Sequence, residues 1–139
     1  MKKIILILLS ISTLLIAGKK VDGYEVYKNK CASCHIENIS VAKVKKNFSK
    51  MKAPPMVEVA NQLKTNIIIK DDDEDVHRQV VILFIKNYID NPDLQYSMCH
   101  PMAIEKFGIM PTQKGKIDEA QKQAIAEWIY DRYEGVKFK

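Results

Sequence analysis

A chain of 139 residues is long enough for one domain with its own hydrophobic core. Its formal charge is +5, falling to +3 once the two lysines of the first 18 residues are set aside, and so mild a balance gives no argument for nucleic-acid binding. Three cysteines are present, and their placement carries more information than their number.

The chain opens with Met1-Lys2-Lys3 and continues in a largely apolar run from Ile4 to Ile16 that closes on Ala17 and Gly18. A basic start, a short apolar run and small residues at its end describe a secretory signal peptide. The run is shorter than the roughly 20 residues of a membrane-spanning helix. Residues 1–18 are therefore expected to be cleaved near Ala17 or Gly18, with retention as an inner-membrane anchor as the alternative. The remaining domain, residues 19–139, is expected in the periplasm. No cysteine directly follows the run, which excludes a lipid-anchored thiol.

A first helix is expected from Asp22, as N-cap, to about Ala32, with Asp22 and Glu25 at its positive end. It leads into Cys31-Ala32-Ser33-Cys34-His35, and two cysteines three apart followed at once by histidine form the c-type haem attachment signature. Two thiols about one helical turn apart can each add to a vinyl group of one haem, forming thioethers. The adjacent histidine is then held beside the iron as proximal ligand. Other readings of Cys31 and Cys34 are weaker. A zinc site lacks its second ligand pair, and a thioredoxin-like pair lacks the βαβ setting. A structural disulfide agrees with export but leaves His35 unexplained. One motif predicts one covalent haem c.

Residues 36–53 are polar and lysine-rich, with a helical stretch expected around Val41 to Met51. Lys43, Lys45, Lys46, Lys50 and Lys52 read as a solvated face. The sharper reading is a docking rim for redox partner proteins with an acidic surface, since complementary charge speeds encounter. Pro54-Pro55 is a stiff break, after which a short helix is expected from Met56 to Leu63. Ile67-Ile68-Ile69 is a β-branched run that could form a strand. The acidic cluster Asp71 to Asp75 resembles a metal site at first glance, yet it precedes a helix over 74–89 with Val76, Val80, Leu83, Phe84 and Tyr88 at helical spacing. Asp71 and Glu74 fit a capping box there, and dipole complementarity explains the carboxylates without an ion.

Cys99 is the odd cysteine, set among Met98, His100 and Met102, and is read as a small residue packed near the haem or a thiol for intermolecular pairing. A helical turn from Met102 to Phe107 closes on Gly108. The last helix starts with Asp118 as N-cap, presents Ala120, Ala124, Ile125, Trp128 and Ile129, and stops before Gly135. The fold class is all-α, with four or five helices around one covalently attached haem.

An iron held by His35 has one further axial position. Among the methionines and histidines of residues 19–139, Met110 suits it best, because it lies in a stiff apolar loop between Ile109 and Pro111. Met56, Met102 and His100 are the alternatives.

With these residues in view, the sequence resembles the single-haem, class I cytochrome c family. The resemblance rests on Gly23-x-x-x-Tyr27-x-x-x-Cys31, on Gly108-Ile109-Met110-Pro111 as a methionine loop, and on Ile125-x-x-Trp128 in the last helix. It spans residues 22 to about 133. It implies a close crossing of the first and last helices at Gly23, filled by Tyr27 and Trp128. It also implies that the carbonyl of Pro54 or Pro55 accepts a hydrogen bond from His35 Nδ1. The stretch between His35 and Met110 is longer than in compact members, mainly by the helix over 74–89.

The function expected is periplasmic transfer of single electrons on a low-spin haem ligated by His35 and Met110, with no enzymatic chemistry. Tyr27, Phe84, Phe107, Ile109 and Trp128 are expected to form an apolar shell that favours reduced iron. Two rivals belong to other classes. One is a haem enzyme or ligand sensor with a displaceable sixth ligand, for which His100 is the candidate distal group. The other is an accessory haem subunit of a larger redox complex, with Cys99 and the acidic cluster as contact points.

Overall fold

The computed structural model describes residues 20–70 and 73–139. The leader expected over residues 1–18, and Asp71 of the expected capping box, lie outside the described residues. Six α-helices and no strand occur among the described residues, so the all-α expectation stands with one helix more than anticipated. Ile67-Ile68-Ile69 is not a strand: Ile67 caps a helix end and is buried, whereas Ile68 is exposed.

Helix α1 (Gly23–Val26) begins where the Asp22 carboxylate accepts the N–H groups of Tyr24 and Glu25 at 2.8 and 3.3 Å. Within the stretch expected as one regular helix, it widens into a π turn over Tyr27–Cys31. The Ala32 N–H donates to the Tyr27 carbonyl at 2.9 Å, a bond of one residue longer reach than in an α-helix. Helix α2 (Val41–Asn47) is capped by the Ser40 hydroxyl and passes into a 3₁₀ turn, Phe48–Lys50. Its lysines are exposed and Val44 alone is buried. Pro55 leads into α3 (Met56–Asn66), a turn longer than expected, which buries Met56, Val57, Ala60 and Leu63.

Helix α4 (Glu74–Asp90) departs from expectation in two respects. Its N-cap is Asp73, whose carboxylate accepts the Val76 N–H at 3.0 Å. Its buried face is Val81, Ile82, Ile85 and Ile89, while Val76, Val80 and Leu83 face outward. The segment from Val80 to Ile85 is apolar all round, so periodicity offers two stripes and packing against the last helix selects one.

A 3₁₀ turn (Leu94–Tyr96) leads to α5 (Pro101–Phe107), one residue earlier than expected because the His100 ring accepts the Met102 N–H as N-cap. Gly108 closes α5 at φ 67°. Helix α6 (Glu119–Arg132) opens with a reciprocal capping box between Asp118 and Gln121. It is the central element: Ile125 and Ala126 are fully buried, and α1, α3 and α4 all pack against it. The α1–α6 crossing is tight. A Cβ on Gly23 would lie 2.2 Å from the Ala124 carbonyl oxygen and 2.5 Å from Trp128 Cβ. Beside the glycine, the rings of Tyr27 and Trp128 stack with centroids 4.8 Å apart, and Tyr24 packs on both.

Candidate haem-binding site

The π turn ends in a compact bend. The N–H groups of Cys34 and His35 both donate to the Cys31 carbonyl, at 3.1 and 2.9 Å. This fold-back places both cysteines and His35 on the wall of one cavity. Burial pushes the Cys31 thiol up to about 11, with Cys34 adding to the shift.

His35 Nδ1 lies 2.8 Å from the carbonyl oxygen of Pro54, not Pro55. Burial lowers the imidazole pKa below its ordinary value, against the opposing pull of the Pro54 carbonyl. The ring is therefore neutral, Nδ1 carries the proton and donates it, and the lone pair resides on Nε2. Ala53, Pro54 and Pro55 are buried, so the acceptor carbonyl is held by two residues with restricted φ and by packing.

The cavity has a volume of about 210 Å³, against roughly 10–15 Å³ for one water. Its walls come from every helix but α1 and α2. Leu63, Phe84, Ile85, Ile89, Phe107, Ile117, Ile125 and Ile129 make it apolar. Met56, Met98 and Met110 also line it, as do Cys99 and Tyr88. Two of the alternative axial candidates are elsewhere: Met102 is exposed, and His100 is the exposed cap of α5. His77, the other histidine, is held by Tyr130 and the Ile67 carbonyl, each at 2.9 Å, and does not line the cavity. The expected apolar shell needs a correction. Phe84, Phe107 and Ile109 line the cavity, but Tyr27 and Trp128 do not, because the α1–α6 crossing consumes their rings.

The loop carrying Met110 is fastened to the end of α4. Thr112 Oγ1 donates to the Asp90 carbonyl at 2.7 Å and accepts the Lys114 N–H at 3.1 Å, and the Gln113 N–H donates to the Ile89 carbonyl at 2.9 Å. The Asp90 carboxylate is paired with Lys122 of α6 at 2.6 Å. Lys30 and Lys52 reach the cavity lining, and among the described residues no carboxylate does.

These features fit a haem. The two thiols suit attachment to the haem's vinyl groups, a neutral imidazole and soft thioether sulfurs are suitable iron donors, and the apolar walls match a porphyrin face. Cys99 lines the cavity, as its reading as a small residue packed near the haem expects. Other parts had no local signal in the sequence: Met98 is held beside it by the Asn66 side chain, which donates to the Met98 carbonyl at 2.9 Å. Tyr133, after α6, donates from its hydroxyl to the Glu37 carbonyl at 2.7 Å.

Comparison with known proteins agrees with this geometry. The family model described as cytochrome C oxidase, cbb3-type, subunit III, matches residues 18–129. An uncharacterized protein of Aquifex aeolicus (strain VF5) is 38% identical over 120 residues, covering 80% of this chain and 73% of that one. No solved structure matches. An all-helical fold around an apolar cavity, with the haem-attachment pentapeptide on its wall and a family match over most of its length, makes this chain a member of that family, a class I-like c-type cytochrome domain built for electron transfer.

Proposed function

We propose that Cys31 and Cys34 hold one haem c through thioether bonds, that His35 Nε2 and Met110 are its axial ligands, and that the domain carries single electrons between protein partners in the periplasm. The observation that carries this reading is the 2.8 Å contact of His35 Nδ1 with the Pro54 carbonyl. It sets the tautomer a proximal ligand needs and makes the imidazole a better donor. A bound haem c supplies a one-electron ferric/ferrous couple.

The residues around it serve that couple. Thioether attachment keeps the cofactor in place independently of affinity. The Thr112 and Gln113 bonds fix the Met110 loop at the cavity wall, where Met110, together with His35, would hold the iron and leave no open position for a substrate. Phe84, Ile85 and Phe107 lower the local dielectric and favour the less charged, reduced state. Lys30 and Lys52, with the exposed lysines of α2, present a basic rim to an acidic partner surface.

The family's description as an oxidase subunit supports the version in which the domain serves a larger redox complex. Size-exclusion chromatography of the native protein separates a free carrier from a bound subunit. The ligand assignment is tested optically. The ferric protein should show a weak far-red sulfur-to-iron charge-transfer band that disappears in Met110→Ala. Its absence from the wild type, or its survival in the variant, overturns Met110. Haem that acid extraction removes from the denatured protein overturns the thioethers.

A further inference from the structure

Three consecutive carbonyls, from His35 to Glu37, are held by the π turn, by the start of α3 and by the residue after α6. The His35 carbonyl accepts from the Tyr27 hydroxyl at 2.7 Å. The Ile36 carbonyl accepts from the Met56 N–H at 2.7 Å, at the start of α3. The Glu37 carbonyl accepts from the Val57 N–H at 3.2 Å and from the Tyr133 hydroxyl at 2.7 Å. Because the His35 N–H is itself bound to the Cys31 carbonyl at 2.9 Å, both peptide groups flanking the His35 Cα are fixed. The imidazole then has only its side-chain torsions left, and the Pro54 carbonyl stops those.

Both phenols belong to the aromatic cluster of the helix crossing. Tyr27 stacks on Trp128, and Trp128 meets Tyr133 edge to face at 5.9 Å. Tyr27 is buried and its pKa is pushed up to about 12, chiefly by burial and then by Glu37, while burial raises that of Tyr133 as well. Each remains a protonated donor at any pH the protein meets.

We propose that Tyr27, on the His35 carbonyl, and Tyr133, on the Glu37 carbonyl two residues further on, are positioning residues of the haem site, clamping the segment that carries His35 so that its imidazole keeps a short bond to Pro54 and its donor strength, and hence the potential of the iron, is set from the α1–α6 crossing. The proposal rests on His35 being the proximal ligand. The Pro54 acceptor gives the imidazole partial imidazolate character, which favours ferric iron. Releasing the clamp weakens that bond, makes His35 a poorer donor and raises the potential. Loosening of the fold for any other reason admits water to the cavity, which favours the charged ferric state and lowers the potential. The sign therefore separates the two.

The test compares the intact holoprotein with Tyr27→Phe and Tyr24→Phe. Both changes remove one hydroxyl from the same aromatic cluster, and only the first removes a bond to this peptide. The midpoint potential and the solvent exchange of the His35 Nδ1–H, followed by NMR, are the readouts. Tyr27→Phe is expected to raise the potential and to speed exchange about fivefold or more, the factor lost with one ordinary hydrogen bond. Tyr24→Phe should leave both unchanged. A Tyr27→Phe protein with wild-type exchange and potential, or with a lowered potential, overturns the clamp. If Tyr27→Phe does not mature with haem, Tyr133→Phe decides by the same two readouts. A wild-type spectrum without a haem-shifted His35 ring would instead refute the proximal assignment beneath it.

Discussion

Replacing Gly23 by alanine probes the contact on which the domain is assembled. In an open helical position this exchange favours the fold by up to ~1 kcal/mol. Here the added methyl meets the Ala124 carbonyl oxygen at 2.2 Å and Trp128 Cβ at 2.5 Å. Ordinary carbon contacts begin near 3.4 Å, so α1 and α6 must part by about 1 Å. Neither obstacle is the far end of a flexible side chain. Overpacking of this kind costs about 1–3 kcal/mol, and the Tyr27–Trp128 stack is worth a further ~0.5–1.5 kcal/mol if the rings separate. Set against the propensity gain, Gly23→Ala should destabilise by about 0.5–3.5 kcal/mol. Denaturant unfolding of the holoprotein, read both by far-ultraviolet circular dichroism and by the haem absorption, measures this as a lower midpoint at unchanged slope. A neutral or stabilising effect would refute the close-crossing argument and with it the reason for a glycine at this position.

Three further changes test separate parts of the structure. Gly108 sits at φ 67° and ψ −157°, a region essentially restricted to glycine, so Gly108→Ala should cost about 1–3 kcal/mol although its Cβ meets nothing; a thermal melt within 1 °C of wild type counts against the backbone assignment. Burial raises the Glu58 carboxyl above its ordinary 4.5, with His100 opposing weakly. The folded state then binds more protons than the unfolded one as pH passes from 4.5 up to the raised value, so stability falls across that window and stays lower above it. Glu58→Gln should therefore raise the melting temperature at pH 7 relative to wild type and lose that advantage near pH 4; an equal gain at both pH values would exclude the ionisation as its cause. Reversing the rim charge with Lys30→Glu and Lys52→Glu should slow oxidation of the reduced protein by hexacyanoferrate(III) and speed it with hexaammineruthenium(III), about tenfold in total between the two oxidants at low salt. Equal rates for the two oxidants in wild type and variant would show that electrons leave elsewhere.

Several interactions that span a turn or two of chain were legible in the sequence, although the Asp73 cap of α4, the His100 cap of α5 and the π turn over Tyr27–Cys31 were not. The Asp22 and Asp118 caps, the stop at Gly108 and the close approach of Cys31, Cys34 and His35 all follow from neighbours within a few residues. The haem signature is of the same kind, because both thiols must reach one edge of one molecule. The close crossing at Gly23 was legible only through the family resemblance, because its partner on α6 lies about 100 residues away.

Tertiary structure decided whatever depended on a choice between equivalent local options. Helix α4 carries apolar residues on two faces, and only contact with α6 turns Val81, Ile82, Ile85 and Ile89 inward and leaves Val76, Val80 and Leu83 outside. Tyr27 and Trp128 were expected both at the helix crossing and in the haem's apolar shell, and the crossing takes both rings. The choice of Pro54 over Pro55, the approach of Met98 to the cavity, and the bonds of the Tyr27 and Tyr133 hydroxyls to the His35 and Glu37 carbonyls arise from groups up to 96 residues apart. No local pattern encodes such pairs, because the energy that forms them appears only when the helices have already packed.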